Sequence, residues 1–516
     1  MSMKTQSLAN LFFFTFCLCA SNQTSWPLVL LLFSFFILLP SMLSSWLVSG
    51  GFAWRNTYPR AIRGPVGWPL LGSIPIMGPL AHRKLAEISA SLDTKRLMAL
   101  SLGSTRLIIS SDPETAKEIL CGHAFSDRPT KEAARALMFE RAIGFAPSGE
   151  YWRHLRRIAA ANMFSPKRIA SLEGLRQLVA GEILGGVCRE MEERGVVEVR
   201  TMLQKGSLKS VVGSVFGASI SLEGEELRLM VKEGYDLIAK FTWGDYFPLG
   251  FLDFHGVRKR CHNLALKVKD FVGQIIEERR REGECMGDDF LSVLLTLPEE
   301  EKLSNSDMVA VLWEMIFRGT DTVAILLEWT MARMVLHPDI QAKAQQELDT
   351  WIGDSRQVRD SDISNLKYLQ AIVKEVLRMH PPGPLLSWAR LAIHDVHVGK
   401  HFVPAGTTAM VNMWAITHDG SIWKDPWAFR PDRFMEEDVS IMGSDLRLAP
   451  FGAGRRVCPG KALGLATVHL WLARLLHQFT WLPLKSVDLS ESLRLSLEMK
   501  NPLRCLAVRR NTVQFL

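Results

Sequence analysis

The chain has 516 residues, of which 47% are hydrophobic, and its formal net charge is +7 at neutral pH. This composition supplies ample apolar surface for a large core, and no Lys/Arg run is dense enough to predict a nucleic-acid groove. The eight cysteines are scattered, with no CxxC or zinc-finger spacing. Disulfides and structural zinc are therefore not expected, and a reducing, cytosol-facing compartment is favoured.

The N-terminal segment differs in composition from the rest of the chain. No charged residue occurs between Lys4 and Arg55, and the run 26–48 reaches the ~20 apolar residues that a membrane-spanning helix needs. Arginines follow this run on its C-terminal side, so the positive-inside rule predicts that the bulk of the protein is cytoplasmic. A rival interpretation makes residues 1–20 a cleaved signal peptide.

These patterns divide the chain into three predicted parts. Residues 1–55 form a membrane anchor, and the Pro/Gly-rich residues 56–80 form a stiff, non-helical hinge. Residues 81–516 form a domain that is mainly α-helical with small β-sheets, because helical patterns dominate and strand-like pieces such as 106–110 are short. Within it, the dipeptide Asp112–Pro113 predicts the start of a helix.

The longest predicted helix runs from Leu303 to His337. Ser304 and Asp307 are candidate N-terminal caps, and Pro338 ends the helix. A helix of about 32 residues is about 48 Å long and crosses a whole domain. Because this one is apolar nearly all round, we expect it to be buried.

The middle of this helix breaks the apolar pattern with the sequence RGTDT, residues 318–322. Gly319 costs a helix interior about 1 kcal/mol relative to alanine, and a buried Asp321 needs a partner. Two interpretations remain open: a helix kink with satisfied polar groups, or a place where a small ligand and protons are handled.

A second unusual stretch is FGAGRRVCPG, which contains the single cysteine Cys458. Gly452 and Gly454 allow a tight turn with positive φ, and Pro459 suits the first position of the helix that follows. The turn therefore puts Cys458 near a helix N-terminus, where unpaired N–H groups and the helix dipole favour a thiolate. A thiolate held in this way is a good metal ligand.

Two further groups of charged residues suggest structural roles. Glu375 and Arg378 are spaced i, i+3 on one predicted helix face. Arg433 lies in the irregular stretch FRPDRF, shortly before the cysteine turn. We interpret all three as residues that lock the fold rather than as catalytic residues.

Taken together, these motifs resemble the cytochrome P450 superfamily. The cysteine turn matches its haem-binding signature F-x-x-G-x-R-x-C-x-G in full. It is accompanied, in the right order, by W-x-x-x-R at 152–156, G-x-D-T at 319–322, E-x-x-R at 375–378 and the FRPDRF element. The resemblance covers the chain from the hinge to the end. Several longer stretches are similar to the plant 78A subfamily and to its KLUH-like clade of organ-size regulators.

The resemblance implies a haem b cofactor, with O2 and electrons supplied from NADPH by NADPH–cytochrome P450 reductase. Cys458 would be the proximal thiolate ligand of the haem iron, and Asp321 and Thr322 would relay protons to the distal oxygen. Glu375, Arg378 and Arg433 would form a buried ion triad that steadies the thiolate loop. The residues expected to contact the haem are Trp152, Arg156, Arg390, Phe451, Arg456 and Gly460.

The substrate pocket is predicted only from position along the chain. Such apolar residues are more often plain core, but together they indicate an apolar or amphipathic substrate. The candidate pocket residues are Phe139, Ile143, Phe145, Phe241, Trp243, Ile316, Phe317, Leu385, Leu386 and Trp388.

The leading hypothesis is a monooxygenase anchored in the endoplasmic reticulum membrane, with a small apolar substrate, membrane lipid and the reductase as partners and no nucleic acid. The resemblance implies that its product is a growth signal that promotes cell proliferation and organ or seed size in plants, and that the substrate resembles a fatty acid. The rivals are a non-oxygenating isomerase or dehydratase of the same fold and a haem-binding signalling protein without turnover.

Three positions depart from the superfamily pattern. Arg63 replaces the first proline of the usual hinge motif, which predicts a looser anchor. Arg318 stands where most members have a small residue, although the 78A subfamily shares the arginine. Asp432 replaces a glutamate and is one methylene shorter, which leaves its usual contact open.

Overall fold

The computed structural model describes residues 34, 47–55, 62–217, 224–247, 253, 255–283, 288–354, 356–386 and 389–510. Helices dominate this part of the chain, as the sequence predicts. In chain order they are α1 (Ile74–Met77), α2 (Ala81–Ser91), α3 (Pro113–Cys121), α4 (Glu132–Leu137), α5 (Glu150–Asn162), α6 (Pro166–Ser171), α7 (Glu173–Arg194), α8 (Val199–Phe216), α9 (Gly224–Ala239), α10 (Val257–Glu282), α11 (Phe290–Leu295), α12 (Asn305–Leu336), α13 (Pro338–Trp351), α14 (Lys367–Met379), α15 (Met413–Thr417), α16 (Arg433–Glu436) and α17 (Lys461–Gln478).

The strands are short and form small sheets. They are β1 (Met98–Leu102), β2 (Thr105–Ser110), β3 (Val197–Glu198), β4 (Arg390–Leu391), β5 (Val396–Val398), β6 (His401–Val403), β7 (Thr408–Val411), β8 (Phe479–Pro483), β9 (Glu491–Leu493), β10 (Leu497–Met499) and β11 (Arg504–Arg509). The largest sheet has the order β1-β2-β7-β4, in which β2 and β7 are parallel and pair Leu107 with Thr408. The others are β3-β11-β8 and the two-stranded β9-β10 and β5-β6.

The central helix α12 has the predicted length and ends. The Ser304 hydroxyl accepts a hydrogen bond from the Asp307 N–H at 3.1 Å, and the 32-residue helix stops at Leu336, just before Pro338. Its first half, residues 308–317, packs in a hydrophobic cluster with α8, α9 and α10. Its second half, residues 324–335, packs in another with α7, α14 and α17. The polar residues 318–322 therefore fall at the junction of two cores.

The described part of the predicted hinge, residues 62–80, is irregular apart from the short helix α1. It packs closely on β1. The Ala99 N–H donates to the Arg63 carbonyl at 2.9 Å, and the Ser73 N–H donates to the Ser101 carbonyl at 2.7 Å. A Cβ at Gly64 would lie 1.8 Å from the Ala99 oxygen, so only glycine fits there. The backbone at Arg63 is thus held without the usual proline.

The predicted membrane span over 26–48 falls almost wholly outside the described residues. Among the residues that are described, no helix is long and apolar enough to cross a bilayer.

Candidate active site

A cavity of about 310 Å³ lies where the two cores meet. Gly319 and Thr322 of α12 line it, and so do Cys458 and the start of α17. The fold thus brings together two motifs that are more than a hundred residues apart in sequence.

The cysteine turn has the predicted backbone geometry. Gly452 and Gly454 have φ values of 71° and 68°, in the region that favours glycine. A Cβ at Gly454 would lie 2.2 Å from the carbonyl oxygen of Leu120, so the turn also packs too tightly for any other residue. The Cys458 N–H donates to the carbonyl of Phe451 at 3.0 Å, which closes the turn around the sulfur.

The helix after the turn begins later than predicted. Pro459 does not occupy the first helical position, because α17 starts at Lys461 with Gly460 as its N-cap. The first bond of the helical ladder is from the Gly464 N–H to the Gly460 carbonyl, at 2.8 Å. Gly460 and Gly464 both line the cavity one turn apart, together with Leu463 of the same helix.

Four arginines line one part of the cavity: Arg128, Arg156, Arg390 and Arg456. Burial lowers the pKa of Arg390 and of Arg456 to about 10, and mutual repulsion among the arginines adds to the effect. Burial also lowers the pKa of Arg128, with Arg390 as the largest of the repelling charges. Concentrated buried positive charge of this kind favours an anionic ligand. The sequence reasoning missed Arg128, whose only signal is its place in the stretch FSDRP.

Three of these arginines also hold the cysteine turn in place. The Arg156 guanidinium donates to the Val457 carbonyl, and the Arg390 guanidinium donates to the Ala453 carbonyl, both at 3.0 Å. Arg456 reaches the other way and donates to backbone carbonyls of residues 126 and 146 at 2.9 and 2.7 Å. The predicted cofactor contacts therefore lie together, and they fix the loop that carries Cys458.

Trp152 lines the cavity, but its polar group is turned elsewhere. The indole N–H donates to the Ile143 carbonyl at 3.0 Å, so it is not directed at the cofactor that the resemblance leads us to expect here. The Arg456 guanidinium lies over the indole ring, 4.2 Å from its centre. In this arrangement Trp152 positions Arg456 by a cation–π contact.

The predicted ion triad is assembled and completely buried, away from the cavity. Both oxygens of Glu375 accept from Arg378, at 2.8 and 2.9 Å, and Arg433 lies 3.1 Å from the same carboxylate. Arg378 also donates to the carbonyls of Thr417 and Pro426. The triad thus ties α14 to the irregular chain that leads to the cysteine turn. Asp432 is not part of it and instead pairs with Lys343 on the surface.

The polar residues of α12 have three different environments. The Thr320 hydroxyl donates to the Ile316 carbonyl at 2.7 Å, as a threonine that only satisfies the helix does. Thr322 faces the cavity, and within the described residues its hydroxyl has no side-chain hydrogen bond. Burial, with a smaller contribution from Glu498, raises the pKa of Asp321 to about 6.

Gly319 has a packing reason that the sequence did not reveal. The helix runs through this position without interruption from 305 to 336. A Cβ at Gly319 would lie 2.8 Å from a methyl group of Val211 on α8. The glycine therefore lets α8 approach α12 closely beside the cavity.

Most of the residues predicted for the substrate pocket lie elsewhere. Ile143 and Leu386 line the cavity, whereas Trp388 lies outside the described residues. Ile316 and Phe317 point into the core, where the Phe317 ring stacks on Tyr235 with 4.4 Å between centroids. The remaining five predicted residues do not line the cavity either: Phe139, Phe145, Phe241, Trp243 and Leu385. Phe241 is 38% exposed.

The periodicity of α12 predicts which of its residues line the cavity better than their position along the chain did. Once Thr322 is placed on the cavity wall, the same face of α12 carries residues three or four apart. The α12 residues observed on that wall are Glu314, Met315, Arg318, Gly319, Thr322, Val323 and Leu326. A further part of the lining, which we call the upper cavity, comes from α8 and α9 and contains Ser207, Ser210, Val211, Ser214 and Tyr235.

The arrangement fits a haem. Cys458 supplies one sulfur ligand, and the buried arginines match the two propionates. No group of three or more His, Cys, Asp or Glu side chains able to hold a metal ion occurs among the described residues, so the site differs from a metal centre built from several protein ligands.

The chain is similar to known proteins over most of its length. The cytochrome P450 family model matches residues 62–505. Cytochrome P450 78A5 of Arabidopsis thaliana is 55% identical over 477 residues, covering 90% of this chain and 92% of that protein. Cytochrome P450 78A9 of the same plant is 51% identical, covering 93% and 94% of the two chains. A flavonoid 3'-monooxygenase of Crocosmia x crocosmiiflora is 34% identical, covering 92% and 97%.

Proposed function

Since this chain belongs to the cytochrome P450 family of haem-dependent oxidoreductases, we propose that it inserts one oxygen atom of O2 into an apolar or amphipathic substrate. The observation that carries this proposal is the single cavity that Cys458 and Thr322 both line. Among the described residues the Thr322 hydroxyl has no side-chain hydrogen bond, and a non-oxygenating relative or a binding protein has no need of such a hydroxyl in the cavity.

The residues that line the cavity indicate which side chains contact the proposed cofactor. When bound, haem b supplies thiolate-supported activation of O2, driven by electrons that come from NADPH through a reductase. Cys458 would bind the iron from a turn that is closed by the hydrogen bond between its N–H and the Phe451 carbonyl. Arg156, Arg390 and Arg456 bind the propionates while they hold the turn.

The proposed proton path starts at the protein surface. Asp321 lies close enough to Arg200 and Glu498 to feel their charges, and Glu498 pairs with the exposed Arg494 at 3.3 Å. A carboxyl group with a pKa of about 6 exchanges protons readily at neutral pH. We propose that Asp321 takes up protons from this side and that the Thr322 hydroxyl delivers them inside the cavity.

Replacement of Thr322 by alanine tests the path. We expect Thr322→Ala to bind haem normally and to reduce coupled product formation by about 10²-fold or more, since general acid–base groups contribute 10²–10⁴-fold. NADPH use falls much less, and hydrogen peroxide accounts for the difference. Product, peroxide and NADPH are measured together with purified reductase.

The matched control is Thr320→Ala, which removes the hydroxyl that only bonds the Ile316 carbonyl. This variant is expected to stay coupled and to lose a little stability. An unchanged ratio of product to NADPH in Thr322→Ala would exclude the proposed proton role.

We further propose a single N-terminal membrane anchor that leaves residues 81–516 in the cytosol, where the reductase is accessible. The uncharged run 26–48 and the arginines after it support this topology. Protease added to intact microsomes should digest the domain. Protection of the domain, or a glycan on Asn22, would reverse the proposed orientation.

The physiological role is proposed from the 78A relatives: a fatty-acid-like substrate converted at the endoplasmic reticulum into a signal that promotes organ or seed growth in plants. Lipids of plants that lack or overexpress the protein should differ in an oxygenated product. If the growth change persists with an inactive Cys458 variant, the signal does not come from turnover.

A further inference from the structure

The cavity is also lined by a pair of oppositely charged side chains that none of the proposed catalytic steps uses. Arg318 lies one helical turn and Glu314 two helical turns before Thr322 on the same face of α12, and both line the cavity. Glu314 is buried, with 3% of its side chain exposed, whereas 33% of the Arg318 side chain is exposed. The guanidinium is therefore the more accessible member of the pair.

The pair is held in a built site. One carboxylate oxygen of Glu314 accepts from the Gly144 N–H at 2.7 Å and lies 3.5 Å from the Arg318 guanidinium. A Cβ at Gly144 would lie 2.3 Å from that guanidinium and 2.5 Å from the carboxylate, so the loop needs glycine to leave room for the pair. The other oxygen of Glu314 is buried and has no hydrogen-bond partner among the described residues.

The charges around the pair favour an incoming anion. Arg318 is one of the cations that lower the pKa of Arg128, after burial and Arg390. Burial raises the pKa of Glu314, which is the one carboxylate that the described residues contribute to the cavity lining. A guanidinium has five N–H donors in a planar fork, so its pairing with one oxygen of Glu314 is compatible with a second acceptor from the cavity.

We propose that Arg318, oriented by Glu314, is the residue that selects substrates with a carboxylate by binding that group inside the cavity. The rest of the upper cavity is formed by apolar and hydroxyl side chains, which suit the apolar body of an amphipathic acid. The inference rests on the proposed function, because it names the substrate class of the same site.

The test measures binding of three ligands that share one chain: decanoate, methyl decanoate and 1-decanol. Equilibrium dialysis against the full-length, haem-loaded protein gives the dissociation constants without any turnover. We expect Arg318→Gln to weaken decanoate at least about ten-fold, because hydrogen bonds to charged groups are lost, while the ester and the alcohol change less than about three-fold. Arg318→Lys keeps the charge but not the forked donor geometry. Its dissociation constant for decanoate should lie between those of the unaltered protein and Arg318→Gln, while its constants for the ester and the alcohol stay unchanged.

A purely structural ion pair gives a different pattern. If Arg318 only holds Glu314 and the loop at Gly144, then Arg318→Gln weakens all three ligands equally, and that result would overturn the proposal. Equal affinity of the unaltered protein for the acid and the alcohol would overturn it as well. The spectrum of the reduced protein with carbon monoxide is recorded on the same samples, so a failure of haem–thiolate ligation is recognised separately from a failure of carboxylate selection.

Discussion

Replacing Cys458 with histidine should abolish the red-shifted Soret band of the reduced protein with carbon monoxide and should remove all monooxygenase activity. Imidazole can bind iron, but it does not supply the electron density of a thiolate. The prediction follows from the closed turn, in which Cys458 is the only cysteine on the cavity wall among the described residues. Absorption spectra and reductase-dependent turnover are the two measurements.

Cys188→Ser is the matched control. Cys188 is a partly buried free thiol that contacts Arg509 and does not line the cavity. This variant should keep both the band and the activity. If Cys458→His kept the red-shifted band, the iron ligand would be a different group and the proposed site would be wrong.

Replacing Glu375 with glutamine should lower the free energy of unfolding by about 3–5 kcal/mol, because breaking a buried ion pair leaves charge without compensation. Here two arginines, Arg378 and Arg433, lose one shared carboxylate, and both are buried. The loop that carries Cys458 should loosen at the same time. Thermal unfolding followed by circular dichroism and haem release at rising temperature measure the two effects.

An exposed pair with the same helical spacing provides the control. Lys84 and Glu87 are also i, i+3 and are joined at 2.9 Å, but both are solvent-exposed. Glu87→Gln should change stability by less than about 1 kcal/mol. Equal effects of Glu375→Gln and Glu87→Gln would show that the triad does not lock the fold.

Local features of the chain were predictable because they depend on a few neighbouring residues. Asp112 caps α3, its carboxylate accepting from the Thr115 N–H, and Pro113 occupies the first turn, as predicted. The cap at Ser304 and the positive φ of Gly452 follow equally local rules. The structural role of Glu375, Arg378 and Arg433 was also predicted from the residues, but their assembly into one triad was implied only by the resemblance, because Arg433 comes from α16 and the other two from α14.

Features that depend on how distant elements meet were not predictable. Gly319 was interpreted as a weak point of the helix, whereas its observed reason is the approach of Val211 from α8. The apolar residues Ile316 and Phe317 are neighbours in sequence of residues that line the cavity. Helical geometry nevertheless directs their own side chains into the core. The four-residue spacing from Thr322 back to Arg318 and Glu314 could have predicted that both line the cavity. Their contact with Gly144 could be seen only in the folded structure.

Incorporation of oxygen from isotopically labelled O2 tests the proposed function most directly. The purified chain, reductase and NADPH are incubated under ¹⁸O2 with decanoate and, separately, with an apolar extract of plant shoots. A monooxygenase places a single labelled oxygen atom in its product and consumes NADPH in step with product. A product that forms without NADPH and without label would identify an isomerase or dehydratase, and haem binding with no product from either source would contradict the proposed activity.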